Sequence, residues 1–435
     1  MDLYLTVVGE TTPPVCASDD LNRIAPNRPV MANIKDSVHD HISVEGVAED
    51  LLDTPALQRL RRIKQLGTVE LVYPSANHTR FEHSLGVYHL ASEALRHLGI
   101  EGRQAERIRA AALLHDIGHC PFSHNIEGLV ARRTGKMHDD VHDLLETGEV
   151  ARILSLHDLS PDRIADLIAG EGEFAALVSG ELDVDRMDYL VRDAHHTGVP
   201  YGTIDTGRLV RELRFVDGDL ALAEGNVQTA ESLLLARALM NPVVYNHHVA
   251  RISKAMLRRG TERLLGADVV TAETLRRMDD RDLTVALRNC PASAVFAEKL
   301  DRRELYKRAV WAERRDVPDD LIEASHETVR EFEREIATRA NVDEDAVVLD
   351  IQPRPSMRES TSRVVVGGEV RRLATQSTLV KALQRAQQEQ WRLGVYAPRE
   401  ETEKVGQAAE EVLGLDLDAL VIEVRKGIHT TLDEF

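Results

Sequence analysis

Cysteine is scarce in this chain of 435 residues, with Cys16, Cys120 and Cys290 as the only three. Three thiols so widely spaced are too few for a disulfide framework, so we expect a protein of the reducing cytoplasm. Cys120 lies in a histidine-rich stretch, and we expect it to be a small packing residue rather than a nucleophile.

Long apolar runs are also absent. No stretch reaches the roughly 18 consecutive apolar residues that a transmembrane helix needs, so we expect no association with a membrane. Residues 1–30 lack a basic segment followed by an apolar one, which argues against a secretory signal. They contain Thr12-Pro13-Pro14, and we expect residues 1–33 to form a disordered extension.

Basic residues are fewer than acidic ones. The sequence has 54 Lys and Arg against 73 Asp and Glu, for a net charge of -19. A general nucleic-acid binder gains affinity by neutralising phosphates, so this balance argues against that class of protein. A local cluster of arginines beside a metal would still make a positive pocket.

Apolar residues recur at helical spacing through most of the chain. One predicted helix begins at Thr79 and ends at Gly99, and another covers residues 105–117 and is apolar on most sides. Residues 69–73 are predicted to be a short extended piece. The other predicted helices before residue 341 cover residues 53–66, 141–154, 161–168, 174–178, 184–193, 227–259, 272–287, 294–300 and 318–339.

The pattern changes at Asn341, where β-branched segments begin to alternate with helical ones. The predicted strands here cover residues 346–351, 363–366, 393–396 and 420–424. The predicted helices cover residues 379–391 and 401–413. We therefore expect a mostly α protein, with an all-α domain over residues 34–340 and a small α/β domain over residues 341–435.

One of five His-Asp dipeptides stands in an apolar setting. His115-Asp116 follows Ala111-Ala112-Leu113-Leu114 and precedes Ile117-Gly118. Burying unpaired charge is costly, and a metal ion is the best available partner for such a pair. The other four dipeptides lie in polar surroundings and indicate little by themselves. They are His39-Asp40, His138-Asp139, His142-Asp143 and His157-Asp158.

His83 and Asp185, on two other predicted helices, add an imidazole and a carboxylate to this pair. Taken alone, His83 would be read as a helix-face residue and Asp185 as a solvated acid. Together with His115 and Asp116 they suit one divalent ion, with Mn, Fe, Ni, Mg and Zn as candidates. Such an ion lowers the pKa of its bound water and polarises a phosphoryl oxygen.

Three blocks of sequence resemble a known family. They are Arg80-Phe81-Glu82-His83-Ser84-Leu85-Gly86, His115-Asp116-Ile117-Gly118-His119 and Asp183-Val184-Asp185-Arg186-Met187-Asp188-Tyr189. Together they resemble the HD-domain metal-dependent phosphohydrolases, and in particular the deoxynucleoside triphosphate triphosphohydrolase branch. The resemblance is clear over residues 38–245. It implies an HD-domain helical bundle whose metal ligands are His83, His115, Asp116 and Asp185.

The resemblance also implies which side chains would act on the phosphates. His119, His124 and His142 would lie over them, and one would act as general acid for the departing alkoxide. We expect that acid to be His124, followed by His142. The alternative for His142 is an exposed helix residue without a catalytic role.

The resemblance further implies the substrate contacts. Arg80 and Arg237 would bind the triphosphate, while Arg186 stands where relatives often have lysine and would offer a different donor geometry. A tyrosine ring against the deoxyribose would leave no room for a 2′-hydroxyl. Asn241 replaces a histidine of some relatives, which puts proton transfer from that helix in doubt. The residues expected around the sugar or base are Gln65, Tyr189, Asp193 and Tyr245.

A regulatory site is a further expectation from the resemblance. In some members of the family, residues matching Asp53, Gln58 and Arg61 bind an activating guanine nucleotide at a subunit interface. The alternative is a capped amphipathic helix with exposed polar residues. A homo-oligomer, dimer or tetramer, is likewise expected from the family alone.

The implied reaction is attack of metal-activated water on the α-phosphorus of a dNTP, which releases deoxynucleoside and inorganic triphosphate. A phosphodiesterase, a nucleotidase or a nuclease is the alternative, and its products would be different. A nucleotide-sensing scaffold with little catalysis is the second alternative. Metal binding and hydrolysis that survived Asp185→Ala would contradict the catalytic assignment.

Overall fold

The computed structural model describes residues 31–354 and 362–415, and its architecture is mostly helical, as predicted. The α-helices are α1 Val47–Leu52, α2 Pro55–Arg59, α3 Arg80–Leu98, α4 Gly102–Leu114, α5 His124–Thr134, α6 His142–Leu145, α7 Gly148–Leu156, α8 Pro161–Ile168, α9 Val184–Thr197, α10 Thr206–Glu212, α11 Val227–Met240, α12 His248–Gly266, α13 Ala272–Arg277, α14 Asp280–Asn289, α15 Ala294–Asp301, α16 Asp319–Ile322, α17 His326–Ala340, α18 Leu373–Gln376, α19 Thr378–Glu389 and α20 Thr402–Leu413.

Three small sheets accompany these helices in the described residues. Their strands are β1 Met31–Asp36, β2 Asp40–Glu45, β3 Leu213–Val216, β4 Asp219–Leu222, β5 Lys307–Glu313, β6 Val348–Ile351, β7 Arg363–Val366, β8 Glu369–Arg372 and β9 Arg392–Ala397. β1 and β2 form a hairpin, β3-β4-β7-β8 is the order of the second sheet, and β5-β9-β6 is the order of the third. Only the β4–β7 pair is parallel.

The largest hydrophobic core surrounds α3 and α4. α3 packs against both α4 and α9, and Tyr88, Leu95, Ile108 and Leu113 are almost completely buried between these helices. α3 has the predicted bounds because Glu82 accepts a hydrogen bond from the Thr79 backbone N–H and left-handed Gly99 ends the helix. The helices that carry the candidate metal ligands are therefore fixed by the core itself.

A second core belongs to the C-terminal part of the chain. There α17 and α20 cover the β5-β9-β6 sheet, and Ala312, Leu349, Leu393 and Val395 are buried between sheet and helices. This is the small α/β unit that the sequence predicts, although β5 precedes the expected boundary at residue 341. The predicted strand over residues 420–424 lies outside the described residues.

Several local predictions differ from the structure. Residues 69–73, expected to be extended, lie mostly in a 3-10 turn, Gly67–Leu71. The helix expected over residues 227–259 is interrupted by a π-helical turn, Asn241–Tyr245, where Pro242 lacks the N–H of a regular helix. The helix expected over residues 141–154 is divided by Gly148, which has a positive φ of 68°.

The hairpins β1–β2 and β3–β4 were not predicted, although Ile42 and Val44 of β2 alternate with exposed residues as in a half-buried strand. The expected N-terminal extension lies outside the described residues, apart from residues 31–33, which belong to β1. Among the described helices, none has the combination of length and apolar character that crossing a bilayer requires.

Candidate active site

Three helices bring the four expected metal ligands together. His83 lies in the first turn of α3, His115 and Asp116 follow the last turn of α4, and Asp185 lies in the first turn of α9. The His83 Nε2 atom is 2.9 Å from Asp185 Oδ1 and 3.3 Å from His115 Nε2, which is itself 3.3 Å from Asp116 Oδ1. Donors around one ion with bonds of about 2.1 Å lie roughly 3 Å apart, so these spacings fit a single cation.

Each histidine of this cluster has its other ring nitrogen occupied. His83 Nδ1 donates to Asp188 Oδ2 at 2.7 Å, and His115 Nδ1 donates to the Ala112 carbonyl at 2.8 Å. Both Nε2 atoms therefore face the cluster, which is the arrangement of histidines that bind metal. Among the described residues, His83, His115 and Asp116 lie close enough to share an ion, and so does a neighbouring group of His119, His124, Glu127 and His138.

The charge of the cluster also favours a cation. Burial opposes protonation of His83, but its hydrogen bonds to Asp185 and Asp188 raise its pKa to about 10. The negative charge that keeps this proton on His83 is the charge that a divalent ion would compensate. The donor set and the charge thus both fit one divalent metal.

Gly86 allows α9 to approach α3 closely at this point. A Cβ atom at position 86 would lie 1.8 Å from Asp188 Oδ1 and 2.5 Å from Arg192 Nη2. Asp188 is completely buried, and its carboxylate accepts hydrogen bonds from His83, from Arg192 and from His39. The last residue of the Arg80–Gly86 block therefore makes room for the carboxylate that orients His83.

A second cluster of three histidines and one glutamate adjoins the first. Glu127 accepts hydrogen bonds from His124 Nδ1 at 2.8 Å and from His138 Nδ1 at 2.5 Å. The His138 ring stacks on His119, with ring centres 4.2 Å apart. His119 Nε2 lies 3.2 Å from Asp116 Oδ1, so this cluster touches a candidate metal ligand.

The two stacked histidines differ in their affinity for protons. Burial, together with the positive charges of Arg80 and His138, holds the pKa of His119 well below its usual range. Burial also opposes protonation of His138, but the hydrogen bond and the charge of Glu127 raise its pKa above the ordinary value. His138 is thus the member of the pair that holds a proton more readily.

The sequence reasoning missed both His138 and Glu127. The contact of Glu127 with His124 could have been predicted, because Glu127 follows His124 by three residues on one helical face. The role of His138 could not have been predicted in this way. The His138-Asp139 dipeptide lies in polar surroundings like three others, and the contacts of His138 form across a loop. His142, expected in this cluster, has an imidazole that is about half exposed, and its Nδ1 lies 3.6 Å from Asp162 Oδ1.

The three arginines expected at the phosphates lie in different settings. Arg80 is 3 % exposed and donates to Asp116 Oδ2 at 2.8 Å and to Ser123 Oγ at 2.6 Å. Arg186 pairs with Asp183 at 2.8 Å. Arg237 lies near Tyr189 and Tyr245. Burial raises the pKa of both tyrosines, and the positive charge of Arg237 opposes that increase. Arg80 therefore holds a candidate metal ligand in the structure.

The residues expected around the sugar form one wall. Asp193 accepts hydrogen bonds from His78 Nε2 and from the Tyr245 hydroxyl, each at 2.8 Å. The Tyr189 ring meets the Tyr245 ring edge to face at 6.2 Å. The Gln65 Oε1 atom is buried and has no hydrogen-bond partner among the described residues, which leaves an acceptor to be satisfied.

A cavity of about 480 Å³ lies between the helical body and the C-terminal unit, and its lining residues do not include Tyr189, Asp193 or Tyr245. Arg237, Asn241 and Asn246 line it from the body, and Trp391 and Arg392 line it from the other side. Cys120, in contrast, is buried, and burial raises the pKa of its thiol to about 12, as expected of a packing residue rather than a nucleophile.

The three residues expected to bind a regulatory nucleotide lie close together. Gln58 donates to the Leu52 carbonyl at 2.8 Å, and Arg61 donates to Gln58 Oε1 at 2.9 Å. The Arg61 guanidinium lies 3.6 Å from the centre of the Phe81 ring, and Asp53 and Arg61 are both exposed.

Comparisons with known proteins agree with this geometry. Residues 80–193 match the HD domain, and residues 204–422 match the HD associated region. A Methanocaldococcus jannaschii protein of uncharacterised function is 32% identical over 394 residues, which are 86% of this chain and 81% of that one. A Dictyostelium discoideum homologue of the deoxynucleoside triphosphate triphosphohydrolase SAMHD1 is 31% identical over 246 residues, which are 52% of this chain and 48% of that one.

A solved structure described as a phosphohydrolase from Bacteroides thetaiotaomicron has a TM-score of 0.68 and 26% identity to this chain. The likeness covers 85% of this chain and 100% of that one. The chain spans only about half the length of the triphosphohydrolase relatives that it matches.

These matches define a metal-dependent phosphohydrolase built around an HD domain. The chain belongs to the HD-domain family and resembles its deoxynucleoside triphosphate triphosphohydrolase branch.

Proposed function

We propose that this protein hydrolyses deoxynucleoside triphosphates to deoxynucleoside and inorganic triphosphate. The observation that carries the proposal is the contact between the two clusters, in which His119 bridges from Asp116 to His138. A candidate cation site thereby lies beside an imidazole whose pKa is raised by Glu127, and a cation and a proton donor are the two groups that cleavage of a phosphate ester needs. The nucleotide part of the proposal is supported by the named triphosphohydrolase relatives.

The four candidate ligands would hold one divalent ion, which would polarise the α-phosphoryl group and lower the pKa of a water molecule. His83 and His115 would present Nε2 to it, while Asp188 and the Ala112 carbonyl keep the rings in place. Arg80 holds Asp116 through Oδ2 and so keeps that carboxylate in position.

The leaving group is the 5′ oxygen of the deoxynucleoside, and it needs a proton as its bond to the α-phosphorus breaks. We assign that proton to His138, because the hydrogen bond and the charge of Glu127 raise the pKa of its imidazole. His124, our first expectation for the acid, shares Glu127 and is 60 % exposed, so it would contact the phosphate chain from solvent. This assignment gives His138 the role of general acid that was expected first for His124 and then for His142.

The sugar would lie against Asp193 and the two tyrosine rings. Asp193 would accept a hydrogen bond from the 3′-hydroxyl, and Gln65 Oε1 offers a second acceptor. Tyr245 is held by its bond to Asp193, so its ring is a fixed obstacle to a 2′-hydroxyl. The base would extend toward the cavity at Arg237 and Asn246. Binding of an activating guanine nucleotide at Asp53, Gln58 and Arg61 remains part of the proposal.

Product analysis tests this function. Purified full-length chain is incubated with each dNTP and the matching NTP, with Mn²⁺, Mg²⁺ or Ni²⁺ and with or without GTP. After removal of the metal, phosphate products are identified by ³¹P NMR and nucleoside products by reversed-phase chromatography. We expect tripolyphosphate and free deoxynucleoside, with a preference for dNTP over NTP of at least about tenfold. Orthophosphate or pyrophosphate as the first product would instead indicate a nucleotidase or a phosphodiesterase, and Asp185→Asn should abolish any activity found.

A further inference from the structure

The turn of the N-terminal hairpin enters the helical body. β1 and β2 pair in register up to Asp36 and Asp40, and the three residues between them form the turn. Asp36 Oδ1 accepts hydrogen bonds from the backbone N–H groups of Val38, at 2.9 Å, and His39, at 2.8 Å. These bonds fix the turn so that the His39 side chain is only 7 % exposed.

His39 contacts α9 from this turn. Its Nε2 donates to Asp188 Oδ1 at 2.6 Å, and its ring lies 5.0 Å from the ring of His89 on α3. The hairpin therefore touches the carboxylate that orients a candidate metal ligand, although it precedes the part of the chain that matches the HD domain, residues 80–193.

A buried arginine ties the turn to the same carboxylate by a second route. Arg192 is completely buried, and it donates from Nη1 to Asp36 Oδ2 and from Nε to Asp188 Oδ2, both at 2.8 Å. Asp188 thus receives His39 and Arg192 on Oδ1, and His83 and Arg192 on Oδ2. Bonds on both oxygens leave the carboxylate a single orientation.

That orientation determines where His83 points, because Asp188 Oδ2 holds the Nδ1–H and the ring presents Nε2 on its opposite side. We propose that the hairpin turn sets the divalent-cation affinity of the site, with Asp36 and His39 acting as positioning residues through Asp188. Partners of metal-binding histidines contribute about 10- to 100-fold to metal affinity in comparable sites. The inference rests on the metal site and not on the identity of the nucleotide.

The test is titration of metal-free, full-length protein with Mn²⁺, in which binding is measured by calorimetry and by the EPR signal of free Mn²⁺. His39→Phe keeps a ring against His89 and removes the donor. Because His39 acts through Asp188, and Arg192 stays on the same oxygen, we expect its Kd to increase by more than about threefold and up to about 10-fold, the lower end of that range. His39→Gln keeps an N–H donor of similar reach, and we expect its Kd to stay within about threefold of wild type. His39→Asn, whose amide is too short to reach Asp188, should resemble His39→Phe and provides a second variant if the latter does not fold.

His41→Phe is the matched control, because His41 lies on the same hairpin with its side chain exposed. It should bind Mn²⁺ like wild type. A wild-type Kd for His39→Phe and His39→Asn would overturn the inference, and so would equal weakening by His39→Gln. The titration contains no nucleotide, so failure of the proposed dNTP hydrolysis and failure of this inference give separate results.

Discussion

The histidines of the candidate active site have different roles because they have different partners. His83 and His115 each donate Nδ1–H to an oxygen, which leaves Nε2 for a metal. His138 instead bonds to Glu127, which raises its pKa, and His119 has its pKa lowered by burial and by neighbouring positive charge. In the proposed function, one kind of side chain would therefore supply both the metal ligands and a proton donor in two adjoining clusters.

Glu127→Gln should move the pH dependence of catalysis. Glu127 raises the pKa of His138, so its replacement by a neutral amide lowers that pKa. Activity that requires protonated His138 would then be lost at a lower pH, and we expect the alkaline limb of the kcat profile to shift down by about one pH unit or more. The measurement is kcat from pH 5.5 to 9.

Glu146→Gln is the control for that profile, because Glu146 is exposed at the end of α6. Its alkaline limb should coincide with that of wild type. An unchanged limb in Glu127→Gln would show that His138 is not the proton donor, and His142→Gln would be the next variant to examine.

At the scale of elements, long helices with clear caps were predictable and short or broken ones were not. α3 and α8 have the predicted bounds because Thr79, Gly99 and Pro161 mark their ends. The β1–β2 hairpin was not predicted, yet it supplies Asp36 and His39, the two residues that we infer position Asp188. The π-helical turn Asn241–Tyr245 was not predicted, because it lies within one continuous apolar pattern.

The candidate active site shows the same division between residues that local sequence patterns predict and residues that they do not. His83, His115, Asp116 and Asp185 were found because an apolar helix and a resemblance both pointed to them. His138 and His39 were missed because their positions depend on how loops return to the helices, and no local periodicity encodes that.

Gly118→Ala should separate catalysis from metal binding. A Cβ at position 118 would lie 2.0 Å from the His138 carbonyl oxygen, so the loop that carries His138 must move. A displacement of about 1 Å from productive geometry costs on the order of 100-fold, and we expect a decrease of that size in kcat. The Kd for Mn²⁺ should stay within about threefold, since the ligand side chains are not displaced.

Gly128→Ala is the matched substitution, because the nearest atom to its new Cβ would be Arg132 Nη1 at 3.6 Å. It should leave kcat and Kd unchanged and stabilise α5 slightly. An active Gly118→Ala variant would mean that the close approach to His138 is not required.

Across the whole molecule, α12 joins the helical body to the C-terminal unit through a buried ion pair. Arg251 on α12 donates from Nε to Asp350 Oδ2 at 2.8 Å, and Tyr396 donates to the same oxygen at 3.0 Å. Arg251 also donates to the Arg392 carbonyl at 3.1 Å. The two parts of the protein therefore share a set of polar contacts along α12, which continues with the ion pairs of Arg259 with Glu333 and of Arg263 with Asp345.

Asp350→Ala should destabilise the fold strongly, because it leaves the Arg251 charge buried without its partner. We expect a loss of about 3–5 kcal/mol in the free energy of unfolding, measured by urea denaturation. Asp301→Ala breaks the exposed pair with Arg288 and should cost less than about 1 kcal/mol. Similar losses for both substitutions would contradict the structural importance of the junction.

The strand order of the third sheet affects folding of the chain during its synthesis. β5 ends at residue 313, but its partner strand β9 begins only at residue 392. At a synthesis rate of about 5–20 residues per second, β5 leaves the ribosome several seconds before β9 exists. During that interval its hydrogen-bonding edge is open to strands of other nascent chains. Slower growth at low temperature, or a chaperone that shields this edge, should therefore improve the yield of folded protein.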